Sequence, residues 1–135
     1  MNLLCLDYGT NRIGVAVAIT PIAEPVGIIT NTKSPRLTDI VSDAALDQIQ
    51  KLISEFAIEK IIVGISEGLM ADKTRIFIEK LKMRTDLPIE EIDETLSSVS
   101  ADDAMDHMRK SKKAKGRDHV AATIILQDYL DLHVA

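Results

Sequence analysis

Tryptophan is absent from this 135-residue chain, and aromatic residues make up only 3% of it. The core must therefore be assembled from Ile, Leu, Val, Ala and Met. A surface that stacks single-stranded bases needs exposed aromatic rings, and the composition argues against one. Cysteine occurs once, as Cys5. A lone cysteine closes no intrachain disulfide, which fits a reducing, cytoplasmic setting. Cys5 stands in an apolar run with no cation written beside it, so it reads as a core residue rather than a reactive thiol. No apolar run approaches the ~20 residues of a membrane span, and Met1 to Tyr8 lacks the basic start of a secretory signal. Repeats, low-complexity tracts and linkers are also missing. One domain over residues 1–135 is expected, and 46% hydrophobic residues suffice for its core without disulfide or metal staples.

The formal net charge is −5, which by itself argues weakly against a nucleic-acid partner. Its distribution argues the other way. Arg109, Lys110, Lys112, Lys113, Lys115 and Arg117 lie within nine residues and leave ten basic residues against 21 acids elsewhere, a balance of −11. An acidic body carrying one concentrated basic segment fits a polyanionic partner held at one place.

Leu3-Leu4-Cys5-Leu6, ending at Asp7 and Gly9, reads as a buried strand closed by a turn. Ile13, Val15, Val17 and Ile19 alternate with Gly14, Ala16 and Ala18, a strand whose second face is made of small residues and must be closely covered. Pro25 to Ile29 follows as a third strand, and the three read as an antiparallel meander. Apolar residues at three- and four-residue steps predict a helix from about Leu37 to Phe56. Lys60 to Ile65 reads as a strand buried on both faces. A helix from Asp72, a plausible N-cap, to about Arg84, a short strand at Ile89 to Ile92, a helix from Ser97 or Ser98 through Met108, and a last helix from about Asp118 to Leu132 complete the order. The pattern β-β-β-α-β-α-β-α-α predicts an α/β fold with a mixed five-stranded sheet and helices on both faces.

Three acids fall at element ends: Asp7 after the first strand, Glu94 after the fifth, Asp118 at the last helix. Each has a bland reading, as a hairpin-edge acid, one of an exposed acidic pair with Asp93, and an N-cap. Together they form a constellation, because those ends can meet over such a sheet. Clustered carboxylates repel and need a cation. Hard oxygen ligands suit Mg²⁺ or Mn²⁺ rather than zinc. Two such ions can activate water and stabilise the leaving oxygen of a phosphodiester. Candidate metal ligands and catalytic residues are thus Asp7, Glu94 and Asp118. Candidate nucleic-acid contacts are Arg12, between Gly9 and Gly14, and Lys112, Lys113, Lys115 and Arg117.

The opening Leu6-Asp7-Tyr8-Gly9-Thr10-Asn11-Arg12-Ile13-Gly14-Val15-Ala16 resembles the first motif of the YqgF/RuvX family. Ile62-Val63-Gly64-Ile65 resembles its central strand and Asp93-Glu94-Thr95-Leu96-Ser97-Ser98 its Asp-Glu-Arg-Leu-Thr-Thr motif. Asp118-His119-Val120-Ala121-Ala122 with Ile125-Leu126-Gln127-Asp128-Tyr129-Leu130 resembles its final helix. The resemblance implies a ribonuclease H-like fold, a divalent metal, and a phosphodiester substrate in precursor small-subunit ribosomal RNA or branched DNA. A junction resolvase would act as a symmetric homodimer, whereas an RNA-trimming enzyme need not. The chain departs from the family at Thr95, where an Arg is usual, and over Ser66 to Ala71. That run brings in Glu67, which competes with Glu94 for the second carboxylate place.

His119 reads as a surface or capping residue, His107 and His133 show no metal spacing, and Met105 and Met108 read as core. Tyr8 fits either a place near the metals or packing beside the turn. A binding protein without catalysis is the competing function, but it would gain nothing from three clustered acids. A sugar-kinase-type phosphotransferase also begins with an Asp-Gly hairpin, yet needs two such domains to enclose ATP. The basic segment generates a test. Replacing Lys112, Lys113 and Lys115 with Ala should lower the slope of log binding constant against log salt by about 2–3, leaving sequence preference unchanged. Filter binding from low to moderate salt measures it, and an unchanged slope would leave the segment as solvated charge.

Overall fold

The computed structural model describes the backbone of residues 1–9, 11–31, 40–65, 69–93 and 117–134, with side chains for 1–9, 11–31, 40–65, 71–92 and 121–132. The predicted helix from Ser97 or Ser98 to Met108 lies outside the described residues. β1 (Leu3–Tyr8), β2 (Arg12–Ala18) and β3 (Glu24–Thr30) form the expected antiparallel meander. α1 (Asp43–Glu55), β4 (Lys60–Ile65), α2 (Leu69–Lys82), β5 (Ile89–Asp93) and α3 (Arg117–Val134) follow. β4 lies parallel to β1 and β5 parallel to β4, so the sheet order is β3-β2-β1-β4-β5 and β1 is central.

Alternation along the strands divides the interior into two layers. Leu4, Leu6 and Tyr8 of β1 join Ile13, Val15 and Val17 of β2 and Ile61, Val63 and Ile65 of β4 beneath α1 and α2. Leu3 and Cys5 join Ala16, Ala18 and Ile62 beneath Ala122, Ile125, Leu126, Tyr129 and Leu130 of α3. The small residues of β2 are covered by α3, as their size requires. Tyr8 resolves toward packing: its ring stacks on Phe77 with centroids 4.9 Å apart, and its hydroxyl donates to the Ile40 carbonyl. Burial raises its pKa. It lies on the sheet face opposite Asp7.

Several expected boundaries are corrected. α1 begins at Asp43, not near Leu37, with Ser42 as N-cap accepting from the Ala45 N–H. Ile40 and Val41 share the apolar stripe but precede the helix. The buried Asn31 side chain explains the stop: its Nδ2 donates to the Ile40 carbonyl at 2.8 Å and its Oδ1 accepts from Ser42 N–H at 2.9 Å. α2 begins at Leu69, so Asp72 lies in its first turn near Arg75 instead of capping it. β2 ends at Ala18, and Ile19 is exposed in the following bend. On β3, Gly27 pairs with Val15 and Pro25 with Ala16, so Val26 is an extra, bulged residue. Gly27 takes φ 147°, a conformation that favours glycine. Pro25 is tolerated because β3 is an edge strand.

Two ties hold the helices to the frame. Arg84 bonds Asp47 at 2.7 Å and Asp43 at 3.1 Å, while its carbonyl accepts from Gln50, joining the end of α2 to α1. Gln127 Oε1 accepts from the Ala23 N–H at 2.9 Å, joining α3 to the β2–β3 connection. The Asn31 tie generates a prediction. Asn31→Ala leaves the Ser42 N–H without its acceptor and the Ile40 carbonyl with the Tyr8 hydroxyl alone, and should cost about 1–2 kcal/mol. Urea unfolding should show a lower midpoint at unchanged slope.

Candidate active site

β1 runs apolar until Asp7, and the period-two alternation that buries Leu3 and Cys5 under α3 puts Asp7 on the same face, half-buried. Its neighbours in register are both glycines. Asp7 pairs with Gly14 on β2 and with Gly64 on β4, and Gly64 pairs in turn with Ile92 on β5. Opposed residues of paired strands share a face, so no side chain on either adjoining strand stands beside the carboxylate at its own level. The strips on the two sides differ below that level. β2 carries Ala16 and Ala18, whereas β4 carries Ile62 and Lys60.

Parallel pairing brings the C-terminal ends of β1, β4 and β5 to one edge of the sheet. Asp7 stands at that edge on β1, and β5 ends with Asp93 opposite Ile65. Glu94 follows Asp93 in the chain and lies outside the described residues, as do Glu67, Lys112, Lys113 and Lys115. Arg12 opens β2 and is exposed. Two residues before Gly14 on β2, it shares Asp7's face, at a diagonal separation of roughly 7–8 Å between Cα atoms.

The direction of α3 follows from what its second half touches. Lys60, at the start of β4, donates to the Tyr129 hydroxyl at 2.9 Å, and Gln127 reaches the β2–β3 connection. Both contacts lie at the end of the sheet where β1 begins. The first turn of α3 therefore points to the opposite edge. Asp118 precedes Tyr129 by eleven residues, about 16 Å of helix. Gly64 follows Lys60 by four, about 13 Å of strand. The backbone of Arg117 and Asp118 thus arrives at about the height of Asp7, above the same face. Among the described residues no group of three potential metal ligands occurs.

The charges at the far end serve the scaffold. Lys60 lies 3.3 Å from Glu90 and 5.4 Å from the Tyr129 ring centre, so its ammonium meets the hydroxyl end of the ring and not its face. The Tyr129 hydrogen bond, followed by Glu90, raises its pKa. Glu90, one of the acids written near Glu94, is thereby occupied structurally. Spacing along the chain does not place Gly64 beside Asp7. Its signal was present as an isolated glycine inside the apolar run Ile61-Ile62-Val63-Gly64-Ile65, a pattern that marks a bulge or a close approach.

With this geometry established, likeness to solved structures defines the class. Thermus thermophilus RuvC, in complex with a Holliday junction substrate, matches with a TM-score of 0.66 at 12% identity, over 100% of this chain and 96% of RuvC. Fowlpox virus resolvase, in complex with Holliday junction DNA, matches with a TM-score of 0.57 at 11% identity, over 100% of both chains. The fold is that of the ribonuclease H-like resolvases. Sequence comparison is more specific. The family described as "RuvX: Holliday junction resolvase" matches residues 1–132. A "Putative pre-16S rRNA nuclease" of Halothermothrix orenii is 38% identical over 97% of this chain and 95% of its own length. One of the same description from Desulforamulus reducens is 33% identical over 97% of each. The chain belongs to the RuvX Holliday junction resolvase family, a family of nucleases acting on nucleic acid.

Asp128 on α3 supplies a test of the electrostatics. Burial, then the nearby Asp131 charge, raises its pKa from 3.8. A carboxyl with a raised folded pKa favours the folded state when protonated, so its cost is absent below pH 3.8 and grows as pH rises through the folded value. Asp128→Asn should therefore stabilise the protein slightly at pH 7, by about 0.3 kcal/mol on the scale of partly exposed charges. Thermal melts should show that difference vanishing below pH 3.8.

Proposed function

We propose that this protein hydrolyses phosphodiester bonds in structured nucleic acid, with precursor small-subunit ribosomal RNA as its substrate. The observation that carries the reading is the convergence of the ends of β1, β4 and β5 and the first turn of α3 on the face that bears Asp7. Asp7, Glu94 and Asp118 are the proposed ligands of Mg²⁺ or Mn²⁺. The residues present fit such an ion in their chemistry: Asp7 offers hard oxygen donors at the sheet edge, where β1, β4 and β5 end together. When bound, the ion supplies the charge that makes water a nucleophile at neutral pH and stabilises the departing oxygen. The reading requires position 94 to continue the alternation of Glu90 and Ile92, which places it on Asp7's face.

Arg12 is exposed on that same face and is positioned to meet a phosphate. Lys112, Lys113, Lys115 and Arg117 complete the proposed basic surface, and Arg117 is chain-adjacent to Asp118. RNA is favoured by the naming of the full-length relatives. Branched DNA is the second reading, favoured by the family's description and by the junction complexes of the similar folds. It would engage two strands through a homodimer. With either substrate, the proposed location is the cytoplasm.

The deciding experiment offers purified protein and Mn²⁺ or Mg²⁺ a precursor ribosomal RNA and a four-way DNA junction side by side. Asp7→Asn and Asp118→Asn should each lower cleavage at least about a thousandfold, some 4 kcal/mol of barrier, with the fold retained. Glu94→Gln should behave likewise, and Glu67→Gln should lose roughly tenfold or less, about 1.4 kcal/mol. Full activity of Asp7→Asn would remove the carboxylate mechanism. The reverse order of the glutamates would move the second ligand to Glu67.

A further inference from the structure

We propose that Gln127 and Tyr129 are positioning residues: from the opposite end of the sheet they fix α3 so that Asp118 stands over the face that bears Asp7. The inference rests on the metal-site reading above, in which Asp118 is a ligand. Both residues belong to the stretch Ile125-Leu126-Gln127-Asp128-Tyr129-Leu130, and both make polar contacts at the end of the sheet away from Asp7.

Apolar packing holds α3 on the sheet but locates it weakly along its own axis. The buried stripe of Ala122, Ile125, Leu126, Tyr129 and Leu130 repeats with the turn of the helix, since 122, 126 and 130 are four apart, as are 125 and 129. A slide by one turn, about 5.4 Å, lays one apolar side chain where another had been. Apolar attraction is not directional, so it resists lifting far more than sliding. Beneath the helix, β2 contributes Ala16 and Ala18, whose methyl groups offer little relief to grip.

Hydrogen bonds remove that freedom, because their length and angle are narrowly set. Gln127 Oε1 accepts from the Ala23 N–H at 2.9 Å, and its Nε2 donates to the Pro21 carbonyl at 3.4 Å and to Asp131 at 3.0 Å. Lys60 Nζ donates to the Tyr129 hydroxyl at 2.9 Å and is held in turn by Glu90. Two residues apart on a helix, the side chains diverge by about 200° and reach opposite flanks. Gln127 is tied to the β2–β3 connection and Tyr129 to the start of β4, with β1 between them. Bonds on both flanks set the height of the helix and the direction of its axis over β1. The backbone of Asp118 lies about 16 Å further along, so a swing of about 5° at the anchors displaces it by about 1.4 Å. A misplacement of about 1 Å can cost about a hundredfold in rate.

The test compares Tyr129→Phe, Gln127→Met and their double variant with wild type. Ile49→Val, in the layer beneath α1, is the control for lost stability. Measured are melting temperature without metal, Mn²⁺ affinity from the free-ion paramagnetic resonance signal, and kcat and KM on the better of the two substrates above. Each single variant should lose about tenfold in kcat and the double variant about a hundredfold, with KM within about twofold. Mn²⁺ affinity should fall with kcat, whereas Ile49→Val should melt lower yet keep both. On an Asp118→Asn background, Tyr129→Phe should lower Mn²⁺ affinity no further, since it acts through Asp118. Wild-type kcat and Mn²⁺ affinity in the double variant would overturn the positioning role and leave the bonds to stability alone. Equal losses in Ile49→Val would do the same. Equal effects of Tyr129→Phe with and without Asp118→Asn would cut the link to Asp118. Wild-type Mn²⁺ affinity in Asp118→Asn itself would remove the ligand reading and this inference with it.

Discussion

The central position of β1 constrains the rest of the molecule. Its six residues pair with an antiparallel strand on one side, Leu3 to Asp7 pair with a parallel one on the other, and both of its faces are covered. A one-residue slip would exchange the two faces. Leu4, Leu6 and Tyr8 would then turn toward α3, over a β2 surface shaped for small groups. Asp7 would turn into the layer that holds Phe77 and Ile13, where a carboxylate has no water and no compensating charge. The apolar layers therefore fix where the one acid of the strand emerges.

The antiparallel and parallel neighbours divide two tasks. The hairpin into β2 returns the chain at once and places Arg12 beside the strand end that carries Asp7. Gly9 makes that return possible, since a β-carbon there would stand 2.6 Å from the Arg12 carbonyl oxygen. The parallel strands work at longer range. β4 and β5 each reach the sheet through a helix, and parallel pairing brings their C-terminal ends to the edge where β1 ends. An α/β sheet gathers ligand-binding groups at such an edge, outside the carboxyl ends of its strands.

α3 couples this edge to the opposite one. Tyr129 and Gln127 anchor its second half to Lys60 and to the β2–β3 connection. The helix is rigid at 1.5 Å per residue, so contacts at the far end set the height of its first turn. Polar groups at that far end thereby set where the first turn lies, through a lever of about three turns. Lys60 and Glu90 belong to that anchor although both are charged and Glu90 lies near Glu94 in sequence.

By itself the sequence determined the order and type of the described elements. The signals were strong: alternation in β2, a continuous apolar run in β4, and a long apolar stripe before Phe56. It also determined which residue types were available for metal chemistry, because Asp7 interrupts an apolar strand and four motifs recur in family order. It did not determine where α1 starts. Ile40 and Val41 obey the helical stripe, and hydrogen bonds from Asn31, brought in from the end of β3, hold Ile40 and Ser42 ahead of the helix. Tyr8 could not be assigned to a face from spacing alone; its stacking on Phe77 of a later helix decided it. Gly64 looked like one more member of a buried run until the parallel register set it against Asp7. Periodicity is a local property that a chain carries in its own order. Register, face and height arise between segments distant in sequence, and those relations decided what surrounds Asp7.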